Sequence, residues 1–149
     1  MELVCPAGNL PSLKAAINNG ADAVYTGLRD VTNARHFAGL NFSLPSLQQA
    51  LEFAHDRHRK VYLAVNTYPQ PHNWTAWQQA VDTAAAAGVD ALIAADPGVM
   101  AYASREHPDL RLHLSVQASA THPDALRFFH EQFGIRRAVL PRVLSVRQI

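Results

Sequence analysis

The chain has 149 residues, 48% of them apolar and 17% charged, with a formal net charge of +1 at pH 7. That length fits one domain able to bury a sizeable core, and the composition excludes an intrinsically disordered chain. The near-neutral balance gives no electrostatic footprint for a nucleic acid, and no apolar run approaches the ~20 residues that span a bilayer.

The N-terminus, MELVCPAG, enters a strand-like run without the basic region and long apolar segment of a secretory leader. A single cysteine, Cys5, leaves no internal disulfide framework, and together these features predict a cytoplasmic, reducing setting. The first strand is ELVCPAG, closed by a Pro-Ala-Gly turn, and the first helix is LPSLKAAINNG, stopped at Gly20. DAVYTG is the second strand. A long connector then runs from Gly27 to Ser43, far beyond the two to six residues usual between a strand and a helix. SLPSLQQALEFAHDRHR is the second helix, with Ser43 reading as its N-cap and Pro45 in its first turn.

KVYLAVNT is the third strand, and WTAWQQAVDTAAAAG the third helix, ended by Gly88. DALIAAD and PGVMAYASREH are the fourth strand and helix, and RLHLSVQAS and HPDALRFFHEQFG the fifth pair, ended by Gly134. RRAVLPRVLS is the sixth strand, and VRQI, residues 146–149, reads as the opening of another helix. The strands are rich in Val, Leu and Ile and mostly do not alternate, as in parallel sheets covered on both faces. NGADAVYTG and AGVDALIAAD repeat one helix-to-strand joint.

Alternating βα units predict a parallel α/β fold of one domain, residues 1–149. Two architectures fit: part of a (β/α)8 barrel, about five and a half units, or an open doubly wound sheet. A complete barrel typically needs ~250 residues, so length favours the open sheet. Arrest at the start of a helix instead predicts the N-terminal portion of a longer barrel.

Both architectures put function at the carboxyl ends of the strands. Tyr25, Thr26 and Gly27, Asn66 and Thr67, Asp96, Ser115 and Gln117, and Arg142 fall there. Asn33, Arg35, His36 and Asn41 lie on the long connector, and long connectors at that end are commonly binding loops. Asn33, Arg35, Asn66, Gln117 and Arg142 are therefore the candidate substrate-binding residues. Arg35 and Arg142 are candidate clamps for a small anionic substrate, because a planar guanidinium bonds oxyanions in pairs. For any one residue, capping of helices and loop backbone is an equal alternative. Phe37 and Phe42 are expected to anchor the connector, Phe42 as a core plug.

Lys60, Asp90 and Arg111 fall at the opposite end and read as ordinary solvated charges. The chain contains no Gly-x-Gly-x-x-Gly, phosphate-binding loop or His-Glu-x-x-His. None of the eight histidines has metal-cluster spacing; His55 and His58 read as solvent-facing, and His113 as a satisfied core histidine. Cys5 reads as a buried structural thiol, and Trp74 and Trp77 as packing. No catalytic residue or mechanism follows from spacing.

Five segments in order, CPAGNLPSLKAAINNGADAVYTG, TNARHFAGLNF, LAVNTY, LHLSVQASATH and AVLPRVLS, resemble the collagenase-like peptidase family of barrel proteins. NARHFAGLNF and SVQASAT point within it to the branch that serves oxygen-independent ubiquinone biosynthesis. Many members carry Arg-Glu-Leu-Ser where this chain reads Arg142-Val143-Leu144-Ser145. Loss of that carboxylate removes a candidate acid–base group and weakens a protease reading. The resemblance implies a subunit of an anaerobic hydroxylase, paired as a heterodimer with a related, UbiV-like subunit and using prephenate as oxygen donor. It also implies a [4Fe–4S] cluster on four cysteines, which would lie beyond Ile149. RNA-base hydroxylation and peptidase activity are the alternatives it carries.

Overall fold

The computed structural model describes residues 1–148. Strand β1 (Val4–Pro6) leads to helix α1 (Leu10–Asn18), β2 (Ala23–Gly27) to α2 (Leu44–His55), and β3 (Lys60–Val65) to α3 (Trp74–Ala87). Then come β4 (Ala91–Ala94), α4 (Pro97–Glu106), β5 (Leu112–Leu114), α5 (Pro123–Phe133) and β6 (Arg137–Ala138). Local chemistry sets the helix ends. Asn9 and Ser12 form a reciprocal capping box at α1, and Ser43 and Asp96 accept from the backbone N–H three residues on. Gly88 and Gly134 close α3 and α5 in the left-handed conformation, at φ 77° and 67°.

All pairings are parallel, and the strands lie in the order β1-β2-β3-β4-β5-β6. A doubly wound sheet reverses its strand order at a switch point. This order never reverses, which overturns the open-sheet alternative and leaves the partial barrel. Flat, the sheet would hold β1 and β6 about 24 Å apart, five strand spacings of about 4.8 Å. Yet Arg137 of β6 forms an ion pair with Glu2, just before β1. No arginine and glutamate bridge such a gap, so the sheet is curled into a half-barrel.

Alternation assigns the two faces. Val24, Val61, Leu63, Val65, Leu92, Leu112 and Leu114 face the helices, where Leu13, Leu47, Leu51, Val81, Val99 and Met100 complete the main core. Val4, Ala23, Tyr25, Tyr62, Ala64, Ala91 and Ile93 line the concave face. The small residues there are what lets the sheet curl tightly.

Several expected elements are shorter. The fifth strand stops at Leu114 because the Ser115 hydroxyl accepts from Gln117 N and starts a 3₁₀ turn, Val116–Ala118. The sixth spans only Arg137–Ala138 instead of running to Ser145, and Pro141, which has no N–H, begins the turn beyond it. The second helix ends at His55, three residues before His58 turns left-handed at φ 55°. Val146–Gln148 forms one 3₁₀ turn, while Ile149 lies outside the described residues.

Candidate functional site

The connector between β2 and α2 folds back over the carboxyl end of the sheet. Leu28 and Phe42 form a parallel bridge beside β2, with Phe42 N donating to Gly27 O at 3.0 Å and Arg29 N to Phe42 O at 3.2 Å. Phe42 is 1% exposed and is the plug expected of it, whereas Phe37 is 61% exposed and anchors nothing. Phe37 lies between two tight bends, with its N–H on Arg35 O and its carbonyl taken by Leu40 N, so its ring is carried outward.

Asn33 is buried. Its Oδ1 accepts from Arg35 N at 3.0 Å and its Nδ2 donates to Leu28 O at 3.4 Å, so the amide shapes the loop from within. It packs against Gly27, where an added Cβ would overlap the amide. Asn41 supports the same turn, donating from Nδ2 to Arg35 O at 2.8 Å.

Asn66 joins this loop to the far side of the mouth. Its backbone N donates to Thr32 O at 2.8 Å, and its Oδ1 accepts from Ala34 N at 2.9 Å. Its Nδ2 donates to Ser115 Oγ at 3.2 Å, two strands away. Register explains the reach: Val65 pairs with Ala94 and Ala94 with Leu114, so the next residues, Asn66, Ala95 and Ser115, form one row. Ala95 is too small to obstruct it. Ser115 also accepts from Gln117 N at 3.3 Å, and Gln117 O accepts from Tyr68 at 2.8 Å. Thr67 ties down the loop through Val31 O at 2.6 Å.

Four of the five candidates are thus joined in one network: Asn33, Arg35, Asn66 and Gln117. The Arg35 guanidinium lies 5.2 Å from the ring centre of Tyr25, a concave-face residue, which places a cation above the hollow. Among the described residues Arg35 has no carboxylate partner. The Gln117 side chain is exposed. Arg142 sits exposed on the turn after β6 and makes no side-chain contact with the other four among the described hydrogen bonds. Thr26 is in register with Leu63 on the helix-facing side, so it does not face the mouth.

Sequence reading missed a second polar group on the concave face. Tyr62 donates to Glu2 Oε1 at 2.8 Å, Arg137 pairs with Glu2, and His113 stacks edge-on to Tyr62 at 4.8 Å. The Tyr62 hydrogen bond, then that of Arg137, hold Glu2 down to about pKa 2. Burial, then Glu2, push Tyr62 up to about 12. Burial, then Arg137, lower His113 to about 4. Alternation of Tyr62 with its apolar neighbours was the available signal.

No three His, Cys, Asp or Glu groups converge as metal ligands among the described residues, and Cys5 is a half-buried lone thiol. An iron–sulfur cluster needs several thiolates, so the residues present do not fit one. No helix among the described residues is long and apolar enough to cross a membrane.

A model of peptidase family U32 matches residues 8–149. The chain is 36% identical over 146 residues to "tRNA hydroxylation protein P" of Helicobacter pylori, covering 98% of this chain and 34% of that protein. It is 39% identical over 149 residues to an uncharacterized protease of Methanocaldococcus jannaschii, covering 100% of this chain and 35% of the other. The chain thus spans about a third of the length of the curated relatives it matches. A solved U32 peptidase has the same fold, with a TM-score of 0.76 at 16% identity over 94% of this chain and 58% of that one. The chain belongs to peptidase family U32, the collagenase-like peptidases.

Proposed function

We propose that this chain forms the donor-binding part of a hydroxylation protein, with the mouth around Arg35 holding a small anionic oxygen donor. The observation that carries the reading is Arg35 itself. A guanidinium without a carboxylate partner stands over an aromatic floor, on a loop pinned through Asn33 and Asn66. A guanidinium fork carried on a pinned loop suits a carboxylate such as those of prephenate. The mouth contains no nucleophile–base pair among its described hydrogen bonds, which weighs against peptidase chemistry.

The acceptor favoured by the relative's name is an RNA base. The second reading is the ring of a ubiquinone precursor, as for UbiU, with a UbiV-like partner. It is supported by the order of the five motifs and by Val143 where many members have Glu. In either case a [4Fe–4S] cluster would be held outside these residues. Deleting the gene and growing cells without air separates the two. Loss of a hydroxylated nucleoside from digested RNA supports the first, and loss of hydroxylated quinone precursors supports the second. Unchanged levels of both end the proposal.

A further inference from the structure

Tyr68 is the one exposed tyrosine of the chain's four, yet it is firmly held. Its hydroxyl donates to Gln117 O at 2.8 Å, tying the loop after β3 to the loop after β5. This link repeats the Asn66–Ser115 bond two residues further along both segments. Thr67, just before it, is fixed through three groups. Its hydroxyl donates to Val31 O at 2.6 Å, its N–H donates to Thr32 O at 3.2 Å, and its carbonyl accepts from Trp77 Nε1 at 3.2 Å. Pro69, just after it, disfavours a helical backbone at Tyr68.

A tie between two loops needs only the hydroxyl. A tyrosine can bond through that hydroxyl and still bury its ring, as Tyr62 does at 3% exposure. The Tyr68 ring instead keeps 50% of its surface in solvent, and Val116, next to Gln117, keeps 38%. An aromatic ring anchored at both ends and half in water has already lost its rotamer freedom, so a flat ligand covers it at low entropic cost. The ring also belongs to the same mouth as Arg35. Asn66, two residues before Tyr68, accepts from Ala34 N at 2.9 Å, and Arg35 is the residue after Ala34.

We propose that Tyr68 is a stacking shelf for the planar ring of the acceptor, the molecule that receives the oxygen, beside the donor held by Arg35. That role rests on the hydroxylation reading, which supplies the acceptor, whereas the stacking itself is read without turnover. The chemistry recognised is a flat π-face, offered both by a nucleobase and by a benzenoid ring. Two probes distinguish these sources: a ten-nucleotide single-stranded RNA and phenol.

Each probe is titrated into the full-length protein while the Tyr68 ring signals, assigned with Tyr68→Phe, are followed by NMR. Stacking should move those signals saturably to higher field. Tyr68→Phe and Tyr68→Leu both lose the bond to Gln117 O, so any loosening of the loops is common to both. Only Tyr68→Leu also loses the ring, and its Kd should be about fivefold or more above that of Tyr68→Phe. A Tyr68 shift and a difference between the variants with the RNA identify a nucleobase. The same pair of effects with phenol alone identifies a benzenoid ring. Tyr68 signals unmoved by both probes at millimolar concentration, or equal Kd in the two variants, would overturn the shelf. The two readings fail separately. Saturable stacking in a protein whose gene deletion changes no hydroxylated product ends the hydroxylation reading and leaves the ring site. Lost products without stacking end the ring site alone.

Discussion

Glu2 and Arg137, 135 residues apart, join the two edges of the sheet across its hollow, with the Tyr62 hydroxyl on the same carboxylate. The pair bridges the curled sheet between its two edge strands, near their amino ends. Arg137→Met removes the clasp and leaves Glu2 with Lys60, 3.5 Å away, and Tyr62. Arg137 is 39% exposed, so solvent screens the pair, and the expected loss is about 1 kcal/mol. A double-mutant cycle with Glu2→Gln, read by urea unfolding, should show coupling between the two sites. Additive effects would show that other contacts maintain the curl.

The same cluster sets the acid limit of stability, in two windows. His113 titrates at about 4 when folded against an ordinary value of 6.5, so the unfolded chain binds the extra proton first. Its stabilising contribution is complete above pH 6.5 and is lost as pH falls towards 4, up to about 3 kcal/mol. Glu2, lowered from 4.5 to about 2, is also a depressed group. Its contribution is complete above 4.5 and fades towards 2. Stability measured against pH should fall first between 6.5 and 4. In His113→Phe that first fall should disappear while the second persists.

The order of elements was legible because each helix carries its own punctuation: Asn9, Ser43 and Asp96 at the starts, Gly88 and Gly134 at two of the ends. Strand order was not legible, since both architectures use the same βα units and differ only in which neighbours pair. The ends of β5 and β6 were misplaced because Ser115 and Pro141 interrupt runs that still look apolar. Asn33 and Asn66 stood out as polar residues at the right end of the strands. Their bonds to loop backbone required knowledge of the loop's path. The Glu2–Tyr62–Arg137–His113 group escaped notice because its members come from four separate segments, each ordinary alone.

Gly27 depends on its neighbour rather than on backbone freedom. A methyl group there would overlap the Nδ2 and Cγ of Asn33, a buried residue with little room to move. Gly27→Ala should therefore lower stability by about 1–3 kcal/mol. Replacing Asn33 with Gly in the same chain relieves the overlap, so the double variant should be more stable than the sum of the single effects predicts.

Asn66 fastens the β2–α2 connector to β5. Asn66→Ala strips Ala34 N of its partner and leaves Ser115 Oγ with Gln117 N alone, at a cost of about 1–2 kcal/mol. The loss should be local. Amide exchange should accelerate at Ala34 and Arg35, while the strand amides of β3 and β4 keep their protection. Uniform acceleration across the sheet would instead make Asn66 a general stability residue.

Arg35 should separate binding from folding. Its side chain stands over Tyr25, and its backbone, through Asn33 Oδ1 and Asn41 Nδ2, shapes the loop irrespective of the side chain. Arg35→Lys keeps the charge but loses the planar fork and its fit to a carboxylate. Under the donor-binding proposal, the variant in the intact hydroxylation system should raise KM for the anionic donor about tenfold or more, with little change in KM for the acceptor or in Tm. Arg35→Ala should raise it further. Because the substitution leaves the loop's backbone bonds intact, a comparable rise in acceptor KM would move Arg35 from the donor site to the acceptor site. Wild-type kinetics for both substrates in both variants would remove Arg35 from binding altogether.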